Sequence, residues 1–177
     1  IMTSHINIVY TISDAYFDLT YVSIHSLLEN NKNNFINLFV LYDESLDKNY
    51  LKLLDKFNKY ENCSELTLLK INKNKYSKLK NYYKSLYCLE FPFLVDIDKF
   101  IYINSASLIL KDLSDFYNID ISSNSCAATE FLHNLKDPIP QKRKFTFTNY
   151  MVLINAQKVK KENYLNTLLS HKFLIDN

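Results

Sequence analysis

The chain has 177 residues, 47% hydrophobic and 23% charged, with a formal net charge of +2, which is enough for one globular domain with a real core. No apolar run reaches the length of about 18 residues needed for a membrane span, and the opening IMTSHINIVY lacks the basic region and long apolar stretch of a signal peptide, so a soluble, cytoplasmic chain is expected. The 21 basic and 19 acidic residues are interspersed, which argues against a nucleic-acid partner.

Taken in order, residues 6–12 (INIVYTI) form a short, mostly apolar run that predicts a strand buried on both faces. Phe17, Tyr21, Ile24, Leu27 and Leu28 then recur at helical spacing behind an acidic first turn, predicting a helix to Asn30. A second strand is expected over 36–42 and a second helix over 44–59, with Tyr50, Leu51, Leu53, Leu54 and Phe57 on its apolar side. The rhythm repeats with a strand at 64–71, a helix over 76–91 ending near Pro92, and a strand at 99–104. Strands at 125–129 and 145–154 and a last helix over 157–169 complete the reading. Such alternation predicts an α/β fold, an open, mostly parallel sheet with helices on both faces, and no composition break suggests more than a single domain over 1–177.

Glycine is absent, where average usage of about 7% would give roughly a dozen. Phosphate loops, dinucleotide turns and nucleophile elbows all need glycine and cannot be written here. The 21 Asn and 20 Lys beside a single Arg suggest an AT-rich genome, and asparagines such as those in residues 30–34 are expected to make the left-handed turns that glycine would otherwise make. Cys63, Cys88 and Cys126 have no metal spacing and read as reduced thiols, and the four His are scattered. Residues 133–144, with Pro138, Pro140 and the run Gln141-Lys142-Arg143-Lys144, read as a solvated surface loop.

Several segments together resemble the family 8 glycosyltransferases. Ile8-Val9-Tyr10 with Asp14 and Tyr16, followed by residues 22–30 (VSIHSLLEN), is similar to that family's first strand and helix, and residues 39–43 (FVLYD) to its second strand. Residues 95–103 (VDIDKFIYI) resemble the approach to its metal motif, residues 110–114 (LKDLS) the segment after it, and Val152-Leu153-Ile154-Asn155 a later strand. The resemblance spans about residues 6–168 and implies a GT-A fold, a nucleotide-diphosphate sugar (UDP-sugar) as donor, a divalent Mn²⁺ or Mg²⁺ ion, and transfer with retention at the anomeric carbon.

The departures fall on the site. A diphosphate leaving group gathers negative charge, which carboxylate-held dications neutralise, yet the family's Asp-x-Asp aligns with Asn104, Ser105 and Ala106. Asp96 and Asp98, which precede the strand, read as a solvated turn at its amino end, whereas ligands gather at carboxyl ends. In the first loop, Ser13 and Ala15 stand where the family has Asp and Asn, while Thr11, Asp14 and Tyr16 remain candidates for donor contact. Cys88 replaces an Arg near the donor, and Thr148-Asn149-Tyr150 replaces Asn-[Ser/Thr]-Gly, with Tyr150 expected to fill sugar space. Glu130 keeps an acidic position used on sugar hydroxyls, so Glu130 and Asn149 are the catalytic candidates, and no metal ligand is assigned.

The chain stops before the family's third metal ligand, a His, and its phosphate-binding Lys, and Ile1 ahead of Met2 reads as a cut segment, so the family's C-terminal part is expected to be missing. The expected function is a family-8-like protein whose metal-dependent transfer is lost or impaired, a pseudoenzyme. The alternatives are an active retaining hexosyltransferase with a rearranged site, or a non-catalytic α/β domain working through a partner protein or as a homo-oligomer.

Overall fold

The computed structural model describes residues 4–77, 79, 83–130 and 147–170, with the backbone alone at 83, 130 and 147–149. Six strands, β1 (Ser4–Thr11), β2 (Asn34–Tyr42), β3 (Cys63–Lys70), β4 (Lys99–Ile103), β5 (Cys126–Glu130) and β6 (Phe147–Asn155), form one sheet in the order β3-β2-β1-β4-β6-β5. The first four pair in parallel, and β6 runs antiparallel to both β4 and β5. The helices are α1 (Phe17–Asn30), α2 (Lys48–Leu54), α3 (Tyr87–Leu94), α4 (Ser114–Tyr117), α5 (Ala156–Glu162) and α6 (Tyr164–Ser170). The predicted α/β class, an open and mostly parallel sheet with helices on both faces, is the observed one.

The period of two along each strand divides the core. Ile6, Ile8 and Tyr10 of β1, with Ile36, Leu38 and Val40 of β2 and Ile101 and Ile103 of β4, face Ile24, Leu27 and Leu28 of α1. The intervening Val9, Phe39, Leu41, Phe100 and Tyr102 face Tyr87 and Phe91 of α3, Val159 of α5 and Leu165 of α6. Each fully buried aliphatic or aromatic side chain contributes about 1.5–3 kcal/mol by leaving water. A sheet with two buried faces therefore fixes register, because a slip of one residue would exchange the two sets. Among the described residues no helix is long and apolar enough to cross a membrane.

Local chemistry moves several predicted boundaries. The second helix begins at Lys48 rather than 44, because the Asp47 side chain accepts the Asn49 N–H at 2.8 Å and caps it. After Leu54 the chain tightens into a 3-10 turn, Asp55–Lys59. The helix expected over 76–91 is replaced by 3-10 turns at Lys73–Tyr76 and Tyr83–Leu86 and by α3, which carries Pro92 inside it and runs on to Leu94. Proline removes only its own N–H, and the turn beyond it is closed by Val95 N–H donating to Phe91 O at 3.1 Å. The last helix breaks into α5 and α6 at Asn163, which has φ of 52°.

Asn163 is the only described residue with positive φ, so the left-handed turns expected of the asparagine run 30–34 are not made. Those asparagines act as hydrogen-bond staples instead. Asn31, with φ of −126°, accepts Leu113 N–H at 2.8 Å and donates to Leu27 O at 2.9 Å. Asn34 donates to Asp112 Oδ2 at 2.8 Å, and Asn62 donates to Leu28 O and Asn31 O, both at 3.0 Å. The short amide side chain satisfies buried backbone groups where the chain leaves α1, each bond adding about 1 kcal/mol. The loop read at 133–144 lies outside the described residues.

Candidate functional site

Strand β1 is flanked by β2 on one side and β4 on the other, so the order of the sheet reverses there. A crevice outside the carboxyl ends of the strands at such a reversal is the usual ligand position in open α/β sheets. A cavity of about 810 Å³ occupies that place, lined by residues 11–16, Ser45, Lys84, Ser85, Tyr102 and residues 104–106. Of the sequence candidates, Thr11, Ser13, Asp14, Tyr16, Asn104, Ser105 and Ala106 are thereby brought together. Cys88 is not on the lining: it is buried in the second core cluster behind Ser85, with its Sγ 3.2 Å from Ser85 O. Burial pushes its thiol up to about 12, so it stays neutral.

On the β1 side, Ser13 is extended (φ −142°, ψ 162°) and leads into the 3-10 turn Asp14–Tyr16. Asp14 Oδ1 accepts the Asp47 N–H at 2.9 Å, tying this loop to the start of α2. Tyr16 is 54% exposed, leaving its ring face open at the rim. On the β4 side, Asn104 N–H donates to Tyr150 O at 2.8 Å, and Ser107 N–H closes a turn on Asn104 O at 3.0 Å.

Within that turn each side-chain oxygen already has a partner in the chain. Asn104 Oδ1 accepts Ala106 N–H at 3.0 Å. Ser105 Oγ donates to Thr11 O at 3.1 Å and lies 2.7 Å from Thr20 Oγ1, pinning the ends of β1 and β4 to α1. Ala106 presents a methyl group. Asp14 is the single carboxylate on the lining, and among the described residues no group of three or more His, Cys, Asp or Glu could hold a metal ion. A hard dication seeks six or more oxygens, charged ones foremost, and this donor set does not fit it. Asp96 and Asp98 are exposed at the opposite end of the sheet, before β4 begins, with Gln157 Nε2 3.4 Å from Asp96 Oδ1.

Three expectations concern β5 and β6. Glu130 pairs with Phe147 at the carboxyl end of β5, and residues 147–150 extend beyond Ile103, which pairs with Met151. The backbone thus puts positions 130 and 149 at the crevice end of the sheet, while the side chains of Glu130, Thr148 and Asn149 lie outside the described set. Tyr150, expected to fill the sugar space, is half exposed and is not on the lining, and the crevice stays open.

Sequence reasoning missed Lys84, Ser45 and Ser85. Behind the wall, Asp43 at the end of β2 is fully buried and accepts Tyr87 Oη at 2.7 Å, Ser45 N–H at 2.8 Å and the Ser45 hydroxyl, with Lys84 Nζ at 3.2 Å. Burial opposes its ionisation, but the Ser45 and Tyr87 hydroxyls, the Ser45 N–H and Lys84 outweigh it and hold the carboxyl at about 2. Lys84 Nζ also donates to Ser45 Oγ at 2.9 Å.

The comparisons agree with this geometry. The profile of glycosyl transferase family 8 matches residues 7–174. No curated protein sequence matches significantly. The galactosyltransferase LgtC, solved with donor and acceptor sugar analogues, superposes with a TM-score of 0.75 at 15% identity over 97% of this chain and 67% of that one. The glycosyltransferase GlyE of Streptococcus pneumoniae TIGR4 gives 0.69 at 17% identity over 94% and 38%, and the mannosyltransferase Ktr4p of S. cerevisiae 0.60 at 11% over 94% and 60%. The chain thus spans about two thirds of LgtC and well under half of GlyE. At these identities the structures show the fold alone, a GT-A-like α/β fold, and the profile supplies the family. This chain belongs to glycosyl transferase family 8.

Proposed function

We propose that the domain receives a nucleotide-sugar donor, a UDP-sugar by family likeness, in the crevice between β1 and β4, and that metal-dependent transfer by this chain is lost or impaired. The supporting observation is the turn at residues 104–106, whose oxygens are neutral and bonded within the chain where the family places two carboxylates. Asp14 and Tyr16 remain to meet the nucleoside, Tyr16 offering a ring face and Asp14 an acceptor already oriented by Asp47 N–H. Calorimetry with UDP tests this: binding heat that is the same with Mn²⁺ and with a chelator is expected. Micromolar binding with Mn²⁺ that vanishes on chelation would overturn it.

A second reading, an active retaining hexosyltransferase with a rearranged site, is favoured by the open crevice and by position 130 at its end of the sheet. It expects measurable UDP-sugar hydrolysis that Glu130→Gln abolishes. Under the first reading there is no turnover for that substitution to remove.

A further inference from the structure

We infer that Lys84 is the seat for the diphosphate of the donor, an organic cation standing in for the divalent ion that the donor set around residues 104–106 does not fit. The inference rests on the nucleotide-sugar reading above and deepens it. Among the described residues lining the crevice, Lys84 is the single Lys, Arg or His, opposite the single carboxylate, Asp14. Its side chain is 28% exposed, whereas that of Asp43, its partner, is 0% exposed. Lys84 therefore lines the crevice with part of its side chain in reach of solvent, and the carboxylate is hidden behind it.

The brace around Lys84 sets its charge. Asp43 is compensated chiefly by the Tyr87 and Ser45 hydroxyls and the Ser45 N–H, all closer to it than Lys84 Nζ at 3.2 Å. Those neutral donors keep Asp43 ionised, and Lys84 pairs with it, so the pair offers a ligand a directed N–H donor rather than an uncompensated charge. An ammonium has three N–H donors; among the described residues two are directed to Asp43 and Ser45, which leaves one for a ligand. Two anchors on a long flexible stem fix the ammonium before the ligand arrives, which lowers the entropy lost on binding. The hydroxyl of Ser13 shares the lining and can donate to a phosphate oxygen.

The test is titration calorimetry of the purified chain with UDP, UMP and uridine in chelator, for wild type, Lys84→Met and Lys84→Arg, each checked for folding by its thermal transition. UDP is expected to bind wild type more tightly than uridine, inorganic pyrophosphate should compete with it, and salt should weaken UDP but not uridine. Lys84→Met should weaken UDP by about tenfold to a hundredfold and leave uridine unchanged, and Lys84→Arg should restore most of the UDP affinity. UDP affinity unmoved by Lys84→Met overturns the Lys84 assignment and leaves the nucleotide reading standing. If wild type binds neither UDP nor uridine, the nucleotide reading fails and this assignment with it. Should Lys84→Met fail to fold, the wild-type comparison decides: equal UDP and uridine affinities, with no competition by pyrophosphate, overturn the assignment.

Discussion

The double variant Asn104→Asp, Ala106→Asp should acquire a manganese dependence that, on the proposed reading, the wild-type chain does not have. Both positions line the crevice at the carboxyl end of β4, two residues apart in a turn held by Ser107 N–H on Asn104 O at 3.0 Å. Asp accepts the Ala106-position N–H as well as Asn does, so the turn survives the exchange while one oxygen at 104 stays free. Two carboxylates and two phosphate oxygens then give a dication four charged ligands, with water completing the shell. UDP should bind on the order of tenfold more tightly with Mn²⁺ than in chelator, equivalent to about 1.4 kcal/mol. Without metal, two new charges near Asp14 should lower the unfolding free energy by about 1 kcal/mol. If the double variant titrates alike with and without Mn²⁺, the missing carboxylates are not what separates this crevice from a metal site.

Asp43→Ala, just behind the crevice wall, should destabilise the fold by about 3 kcal/mol, more than any single change on the lining. It removes the acceptor for Tyr87 Oη, the Ser45 hydroxyl, the Ser45 N–H and Lys84 Nζ at once, and it does so at a buried position. The same group sets an acid dependence. Its folded carboxyl is held at about 2, below the ordinary value of about 3.9, so its contribution is fully present above that ordinary range and is lost as pH falls toward 2. Urea midpoints at pH 7, 4 and 3 should therefore fall in wild type, and the difference between wild type and Asp43→Asn should shrink over the same interval. A difference constant with pH would mean that the Asp43 charge contributes nothing to folding.

The strands were legible because two buried faces leave short, unbroken apolar runs, and Ile8-Val9-Tyr10 and Phe100-Ile101-Tyr102-Ile103 have no polar residue to confuse the period. Helix boundaries were less so, since they depend on capping by Asp47 and on a left-handed Asn163, neither of which interrupts an apolar stripe. The role of the asparagines was misread for a related reason: Asn31 and Asn62 bond partners tens of residues away, and local propensity carries no trace of them. In the crevice, residues 11–16 and 104–106 could be found by likeness to a family pattern. Lys84 could not, as one lysine among 20 has no pattern of its own. Ser45 was hidden inside a predicted helix that starts only at Lys48.

The most direct measurement on the metal question is the electron paramagnetic resonance signal of Mn²⁺ titrated with UDP, in the presence and absence of the wild-type chain. Because Asn104 Oδ1 and Ser105 Oγ are neutral and each bonded within the chain, and the Ala106 side chain carries no oxygen, adding the chain should not lower the free-ion signal of Mn²⁺, and should raise it where the chain draws UDP from the ion. A loss of free-ion signal that grows with chain concentration, and that Asp14→Asn abolishes, would show that the crevice grips the ion after all.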